Sequence, residues 1–461
     1  MDIFDNINPM DFRYYGRNPD LFSKLQPYLS ESATIRYMAR VELALVNALA
    51  RRKICSKDDL KEIITAIEKV RAGNVYEEED RIKHNVRALV NLIRKNVSDR
   101  AKPFVHFTAT SHDIICTADA LRLKEVSEKV VLPLMKTLMV DLIDLAMKEK
   151  DTVQIGRTHG QHADPITFGF TMTEYVSRLG RRILRVKHAA GNFRGKLSGA
   201  VGAYNAQSLF FDDPMKFEKE VLRDLGLKPS THSTQIVEPE FVLDYLHAII
   251  STFGILANMA DDLRHLQRSE IAEISEAFAK KQVGSSTMPH KRNPINFENV
   301  KSMWKAYMPR MTTQYMDQIS EHQRDLTNSA SQRYVPETIA ALCSVMMRLD
   351  KAIKNLVVDK ENLRKNFNIT KDMIAAEPLY ILLASYNHPD AHEKVRELTL
   401  LAEKSGNRLL DIAFRDDSLQ PYFKKMTKRQ QDILKNLEQY TGMASKKTED
   451  CCKFWKKKLK L

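Results

Sequence analysis

The chain has 461 residues, of which 43% are hydrophobic and 28% are charged, as in an ordinary soluble globular protein. Only 15 residues are glycine, and this low content favours long helices over a turn-rich β architecture. The amino terminus lacks the basic-then-apolar order of a signal peptide, and no uninterrupted apolar run approaches the ~20 residues of a membrane span. The nearest run, residues 245–260, contains polar side chains and is interpreted as a buried helix.

The formal net charge of +13 suggests an anionic partner, and nucleic acid is the obvious candidate. The basic residues are mostly dispersed among acidic ones, however, and we find no zinc-finger, RNA-binding or KH-type motif. The exception is the lysine-rich tail, residues 453–461, which is interpreted as a solvated end, with contact to an acidic surface as the alternative. The five cysteines form no framework spacing, which indicates free thiols in a reducing cytoplasm.

Apolar residues recur at helical spacing along most of the chain, and a serine at position 30 is placed to cap the first long segment. The segment 113–148 would be about 54 Å long if it were fully helical, and Pro133 within it predicts a kink rather than a break. Residues 156–162 are assigned to a loop, with Pro165 opening the next helix. Helices are predicted over residues 30–52, 58–71, 76–95, 113–148, 168–190, 240–276, 294–319, 336–354 and 391–405.

Long helices with apolar residues on several faces must lie inside a bundle. We therefore expect an all-α fold of three helical domains: an N-terminal domain (1–102), a central long-helix bundle (103–360), and a C-terminal domain with the basic tail (361–461). The apolar surface left over on the bundle should drive oligomerisation.

A twelve-residue segment, residues 283–294, has the composition of a mobile loop that closes over an anion, and we call it the signature loop. Gly284 supplies backbone freedom and Pro289 prevents a continuous helix. Asn293 is predicted to cap a helix that Pro294 begins, which would place free N–H groups beside the positive charge of Lys291. A serine hydroxyl becomes a useful base only where its alkoxide is stabilised, and this loop offers that setting.

The order of residues from Gly284 to Pro294 matches every fixed position of Gly-Ser-Ser-x-Met-Pro-x-Lys-x-Asn-Pro. This pattern resembles the signature of the fumarase/aspartase superfamily of lyases. It does not choose among members of that superfamily, because adenylosuccinate lyases, argininosuccinate lyases, fumarases, aspartases and carboxymuconate cycloisomerases all carry versions of it.

A second segment, residues 156–162, contains His159 in Thr-His-x-Gln order. A loop histidine is a natural general acid near neutral pH, although alone it is more often an ordinary surface residue. A zinc site with His162 is weaker still, because no cysteine or carboxylate stands at ligand spacing. The order Thr158-His159-x-Gln resembles the superfamily's second conserved region, in which the histidine donates a proton.

A third segment precedes the longest predicted helix, where Thr110 and Ser111 place hydroxyls beside helix N-terminal amides. This is a ready carboxylate site, and helix capping by Ser111 or Asp113 is the simpler reading. The segment resembles the superfamily's first region, Thr-Ser-x-Asp, and His106 matches a histidine found there in adenylosuccinate lyases.

A fourth segment sets Arg324, Ser329 and Arg333 within ten residues, and arginine is suited to bidentate phosphate contact. Alone, two such arginines usually form a solvated face, but here they resemble the nucleotide-phosphate contacts of adenylosuccinate lyases. The chain departs from those relatives at three positions, where Asn85, His162 and Asn299 stand. Further resemblances to that family are Arg13 and Tyr14 near the amino terminus, His84 in the first domain, and Gln235.

The resemblance implies a lyase that releases fumarate from adenylosuccinate and from the succinylated carboxamide ribotide of purine synthesis. It implies Ser285 as the base and His159 as the proton donor, assisted by His84, with no metal or organic cofactor. It also implies a homotetramer whose sites are shared between subunits. The implied substrate contacts are Arg13, Tyr14, His106, Thr110, Ser111, Thr158, Gln235, Ser286, Lys291, Asn293, Arg324, Ser329 and Arg333.

Two alternatives stay open at this point. A sibling enzyme, 3-carboxymuconate cycloisomerase or argininosuccinate lyase, shares the signature loop but has no need for the Arg324, Ser329 and Arg333 group. A non-enzymatic basic helical scaffold or nucleic-acid binder would retain the loop only as ancestry.

Overall fold

The computed structural model describes Asp5, Ile7, Asn8 and residues 10–279 and 281–461, and it confirms the all-α prediction. Three two-stranded sheets are the only sheets in this part of the chain. The helices are α1 (Pro19–Leu29), α2 (Glu31–Arg51), α3 (Lys57–Glu68), α4 (Ala72–Ile82), α5 (Asn85–Lys95), α6 (Ser111–Val126), α7 (Leu132–Lys148), α8 (Phe168–Gly191), α9 (Pro214–Asp224), α10 (Glu240–Leu266), α11 (Ile295–Tyr307), α12 (Arg310–Met316), α13 (Val335–Lys354), α14 (Lys360–Ile374), α15 (Ala376–Ser385), α16 (Ala391–Ser405), α17 (Leu409–Arg415), α18 (Gln420–Phe423), α19 (Lys428–Lys435) and α20 (Ala444–Leu459). The strands are β1 (Val153–Thr158), β2 (Gln161–Thr167), β3 (Arg194–Gly195), β4 (Lys228–Pro229), β5 (Ile274–Ser275) and β6 (Val357–Val358).

The chain forms two compact units, each discontinuous in sequence. Unit 1 comprises Met1–Lys136, Arg181–Leu256 and Ser302–Met347, and unit 2 comprises Thr137–Gly180, Ala257–Lys301 and Arg348–Leu461. The division into three domains stays a prediction.

In unit 1, helix α2 is the central packing element and contacts α1, α3, α6 and α9. It begins as its sequence predicts, because the Ser30 hydroxyl accepts a hydrogen bond from the Ala33 amide at 3.1 Å and so caps the helix. Its apolar residues Val41, Leu45 and Leu49 are fully buried. The position of α6, which carries two predicted site residues at its start, follows from this packing.

In unit 2, strands β1 and β2 form an antiparallel hairpin that contacts α14. Ile155 of β1 belongs to the same apolar core as helices α14 to α19, where Leu379 and Leu383 are completely buried. Helix α20 also contacts β2. The hairpin therefore packs against the helical core of unit 2.

Three predicted helices are shorter than expected, and each interruption has a local cause. The segment 76–95 is divided because Lys83 adopts a left-handed φ of 56° and His84 starts a new helix. The segment 240–276 ends at Leu266, because the amide of Glu273 turns back to donate to the Leu266 carbonyl at 3.0 Å. The segment 294–319 is divided at Pro309, which has no N–H to continue the helical ladder.

The long segment around Pro133 remains helical from Ser111 to Lys148, as predicted, but it contains a π-helical turn at Ser127–Val131. Such turns accommodate a disrupted hydrogen-bond ladder. The hydroxyl of Ser127 donates to the Leu123 carbonyl at 2.6 Å.

Helix α10 is long and apolar enough to span a membrane by length and composition alone. Its residues Tyr245, Ile249, Phe253 and Met259 are completely buried within the protein. This confirms the interpretation of the segment as a buried core helix.

The contact between α8 and α20 gives a test of the packing in unit 2. A Cβ atom added at Gly180 would lie 2.4 Å from the Trp455 ring, so we expect Gly180→Ala to lower the free energy of unfolding by about 1–3 kcal/mol through overpacking. Gly191→Ala, in the same helix, has no atom within 4 Å of the added Cβ and should change stability by less than about 1 kcal/mol. Denaturant unfolding of both variants measures the difference, and equal stabilities would contradict this packing.

Candidate active site

A buried carboxylate that precedes the signature loop holds the chain that follows it. Glu276 precedes the loop, and its side chain accepts hydrogen bonds from the amides of Asn296 at 3.0 Å and Phe297 at 2.9 Å, at the start of α11. Burial raises the pKa of Glu276, although these hydrogen bonds oppose the shift. Arg348 in turn donates to the Asn296 side chain at 2.8 Å.

This arrangement corrects the predicted role of Asn293. Its side-chain amide donates to the Gly284 carbonyl at 2.9 Å and joins the two ends of the loop, so it does not act as a helix cap. The prediction of free amides at the helix start is also wrong for Asn296 and Phe297, because Glu276 already occupies them. A helix N-terminus attracts any nearby anion, and here that anion is the protein's own Glu276 carboxylate.

Ser285 lies at a tight turn within the loop. Its hydroxyl oxygen accepts hydrogen bonds from the amides of Met288 at 3.0 Å and Thr287 at 3.3 Å. Donors aimed at an oxygen favour its negatively charged form. Gly284 is required beside it, because an added Cβ would lie 2.0 Å from the Lys291 carbonyl oxygen.

The other predicted loop residues, Ser286 and Lys291, are exposed. The backbone of Lys291 is held by its amide, which donates to the Met288 carbonyl at 3.0 Å. Its ammonium group is therefore open to an anion arriving from solvent.

His159 occupies the tip of the β1–β2 hairpin rather than a loop before a helix. Pro165 lies in β2, and the next helix begins only at Phe168, so the predicted helix start at Pro165 is wrong. His159 and Gly160 have φ values of 53° and 76°, which is typical of a two-residue type I′ turn. The turn leaves His159 and the neighbouring Thr158 exposed.

The hairpin is anchored to the body of unit 2 just below this turn. Arg157 donates to the Glu273 carboxylate at 2.6 and 3.2 Å, and the Glu273 side chain is completely buried. His162, on the paired strand, contacts the Thr370 hydroxyl at 2.8 Å, and burial together with the charge of Arg157 lowers the pKa of His162.

Thr110 and Ser111 stand at the start of α6, as predicted, and are half-buried. Asp113 accepts a hydrogen bond from the Thr110 amide at 2.9 Å, so the capping role also holds. The Asp113 carboxylate forms a completely buried ion pair with Lys196 at 2.5 Å, and the amide of Ser198 donates to it at 3.0 Å.

His106 adopts a left-handed φ of 63° and directs its ring towards a buried carboxylate. Its Nδ1 lies 2.6 Å from the Glu42 carboxylate, which also accepts a hydrogen bond from the His106 amide at 3.1 Å. Burial disfavours the charged imidazole, but attraction to Glu42 and its hydrogen bond outweigh burial and raise the pKa of His106.

Arg324 lies near the start of α6, since its charge acts on His112. Burial, Arg324 and Lys196 together lower the pKa of His112 to about 4. Ser329 and Arg333 are exposed in the irregular segment that follows α12 and in the 3₁₀ helix Ser331–Tyr334.

The remaining predicted residues of unit 1 are spread over separate elements. His84 is exposed at the start of α5, where its Nδ1 accepts from the Arg87 amide at 3.3 Å, which leaves Nε2 to carry the proton of the neutral ring. Gln235 lies in a turn closed by the Ser233–Val237 bridge. Arg13 and Tyr14 lie in the π-helix Met10–Gly16.

Unit 1 thus places the hydroxyl pair, His106 and Arg324 near the start of α6, and unit 2 holds His159 and the signature loop. Among the described residues, no hydrogen bond or ion pair joins His159 to Ser285. The sequence did not reveal Lys196, Glu273 and Glu276. Each is a single charged residue that belongs to no motif, and its partner lies elsewhere in the chain.

Comparison with known proteins identifies the relatives of this chain. A family model described as "Lyase" matches residues 12–306, and one described as "Adenylosuccinate lyase C-terminal" matches residues 320–439. The adenylosuccinate lyase of Archaeoglobus fulgidus is 35% identical over 96% of this chain and 97% of its own. That of Methanocaldococcus jannaschii is 32% identical over 98% of this chain and 96% of its own.

Solved structures of related enzymes share the fold. A 3-carboxy-cis,cis-muconate lactonizing enzyme from Pseudomonas putida superimposes with a TM-score of 0.83 at 20% identity, over 98% of this chain and all 100% of its own. A fumarate lyase from Mesorhizobium sp. BNC1 superimposes with a TM-score of 0.81 at 21% identity, over 93% of this chain and 97% of its own. At these identities the likeness concerns the fold alone.

The His106–Glu42 pair predicts a pH-dependent contribution to stability. Because the folded-state pKa of His106 is raised above the ordinary value of 6.5, its contribution should be complete below that value and be lost as the pH rises through the folded-state pKa. We expect the difference in unfolding free energy between wild type and His106→Gln to shrink from pH 6 to pH 9. His232→Gln, at an exposed position, is the control, and a difference that does not change with pH would contradict the charged pair.

Proposed function

Because the chain belongs to the adenylosuccinate lyase family, we propose that it releases fumarate from adenylosuccinate, leaving AMP, and from the succinylated carboxamide ribotide of purine synthesis, leaving the free carboxamide. The observation that carries this proposal is the identity of 35% to a curated adenylosuccinate lyase over nearly the full length of both chains. The sibling cycloisomerases share the fold at only 20–22% identity, which makes them the weaker candidate.

In the proposed reaction Ser285 is the base. As the alkoxide, it takes the proton from the carbon beside a substrate carboxylate, and the electron pair of that C–H bond moves onto the carboxylate. The two amides that donate to the Ser285 oxygen support this role, because they stabilise the alkoxide before the proton arrives. Lys291, which is exposed in the same loop, would balance the charge that develops on the substrate.

The electron pair held on the carboxylate then returns to form the C=C bond of fumarate. As that bond forms, the C–N bond breaks, and its electron pair goes to the leaving nitrogen, which takes a proton from His159. The exposed hairpin tip suits this role, since a general acid must reach a substrate atom directly. We assign His84 to assist this proton transfer, and its Nε2 is the nitrogen available to do so. The charge is delocalised through the carboxylate, so the reaction as proposed requires no metal or organic cofactor.

Substrate anions are assigned to three groups of side chains. Thr110, Ser111 and the charged His106 would hold the succinyl carboxylate at the start of α6, and Lys291 would hold the second carboxylate. Arg324, Ser329 and Arg333 are assigned to the phosphate, because arginine and serine side chains are suited to it. The remaining proposed substrate contacts are Arg13, Tyr14, Thr158, Gln235, Ser286 and Asn293.

We further propose a cytoplasmic homotetramer in which different subunits contribute to one site. Large apolar side chains exposed in unit 1 support oligomerisation, among them Met316 at 67%, Ile319 at 80% and Leu326 at 71% exposure. Large apolar side chains left exposed within one chain are buried when subunits associate through them. Turnover of adenylosuccinate by the purified protein tests the activity itself, and salt-sensitive nucleic-acid binding without turnover would favour the non-enzymatic alternative.

Replacing the proposed base should abolish chemistry while sparing binding. We expect Ser285→Ala to lower kcat on the order of 10²–10⁴-fold, because it removes a proton-transfer group rather than a charge contact. Affinity for AMP, measured by calorimetry, should change little. Thr287→Val in the same loop is the control, with kcat within about threefold of wild type, and Ser285 is not the base if its variant keeps more than half of the wild-type rate.

Sharing of sites between subunits predicts complementation between two inactive variants. If His159 and Ser285 reach one site from different chains, equal mixing of His159→Gln and Ser285→Ala leaves about a quarter of the sites with both residues intact. The experiment is to unfold and refold the two variants together and to assay them against each refolded alone. Mixed tetramers, confirmed by mass, that remain inactive would show that both residues serve one site from the same chain, or that one is misassigned.

A further inference from the structure

Glu273 is a buried carboxylate of unit 2 with several hydrogen-bond donors around it, and it lies outside the proposed catalytic residues. Its side chain is completely buried and accepts hydrogen bonds from Arg157 at 2.6 Å, Gln154 at 2.8 Å and Asn366 at 2.9 Å. Its backbone carbonyl also accepts from the Asp359 amide at 2.9 Å. Glu273 therefore joins the β1–β2 hairpin to α14 and to the residue that precedes it.

Arg157 is the residue through which this anchor controls the direction of the hairpin. The pairing register of β1 and β2 shifts between Ile155 and Arg157, and such bulges bend a strand and redirect the side chains beyond them. Above Arg157 only the Thr158–Gln161 pair remains before the turn. The tip is thus held by the Arg157–Glu273 contact on β1 and by the His162–Thr370 contact on β2.

The distance between Arg157 and His159 gives the size of the displacement of His159 that a loosened anchor would cause. His159 follows Arg157 by two residues, or about 7 Å at ~3.3 Å per residue. A tilt of roughly 10° at Arg157 would move His159 by about 1 Å over that distance, and a misplacement of this size costs on the order of 10²-fold in rate. A small loss of rigidity at the anchor is therefore sufficient to disable a general acid at the tip.

We propose that Glu273 is a positioning residue for the lyase reaction, acting through Arg157 to hold His159 in its reactive orientation. The proposal rests on the proposed function in that it takes His159 as the proton donor. Glu273 touches no substrate atom in this scheme. Its carboxylate is needed because it receives two hydrogen bonds from the partly buried guanidinium of Arg157 and so fixes its orientation.

The test is the variant Glu273→Gln, which keeps the size of the side chain but removes the bidentate acceptor for Arg157. We expect kcat to fall about 10–100-fold while KM changes less than about threefold, because only the position of the proton donor is lost. Hydrogen–deuterium exchange should become faster in residues 153–167. Unchanged exchange in the hairpin, or kcat within twofold of wild type, would overturn the proposal.

Glu149→Gln is the matched control. Glu149 is another buried carboxylate of unit 2, and it accepts a hydrogen bond from the Thr152 hydroxyl at 2.6 Å, at the opposite end of the same hairpin from His159. This variant should lose thermal stability comparably but keep kcat within about twofold of wild type. If both variants lose kcat equally, general destabilisation explains the effect and the positioning role is wrong.

A double-mutant cycle separates action through His159 from other effects. In a His159→Gln background, adding Glu273→Gln should change the residual rate less than about twofold, whereas an independent role would lower it by the same factor as in wild type. If that residual rate is too low to measure, the exchange experiment decides. If wild type itself fails to cleave adenylosuccinate, the proposed function fails, and loosening of the hairpin by Glu273→Gln still tests the anchor.

Discussion

The buried ion pair between Asp113 and Lys196 is the interaction on which the start of α6, the proposed carboxylate site of unit 1, depends. Both side chains are completely buried and lie 2.5 Å apart, so each charge is stable only while the other is present. Removing one partner of such a pair typically costs about 3–5 kcal/mol. Because Asp113 also accepts from the amides of Thr110 and Ser198, the pair fixes the start of α6 against the segment that follows β3.

Unit 2 uses buried carboxylates in the same way. Glu276 holds the start of α11, directly after the signature loop, and Glu273 holds the hairpin below its tip. The groups proposed for chemistry, Ser285 and His159, lie on the short segments that these carboxylates anchor. In the proposed site these two groups can therefore reach a substrate, while the segments that carry them are held in place by hydrogen bonds to buried carboxylates. Such fixed positions are the condition for preorganisation.

The sequence predicted those features that depend on neighbours along the chain. Helices such as α2 and α16 follow from local apolar spacing and caps, and Ser285 and His159 stand out because they lie in motifs. The hairpin was missed because Pro165 is as compatible with an edge strand as with a helix start. The partner of Lys196 lies 83 residues away and that of Glu273 lies 116 residues away, so no local pattern could reveal either anchor.

The carboxylate of Glu276 has one more consequence. By occupying the amides at the start of α11, it removes two main-chain donors from the set available to a ligand, and a side-chain exchange other than to proline leaves such donors unchanged. In the proposed reaction, the positive charge at this loop comes from the Lys291 side chain instead. Side chains can be exchanged singly without disturbing the backbone, so a lineage built on this loop can change the anion it accepts in small steps while the scaffold stays the same.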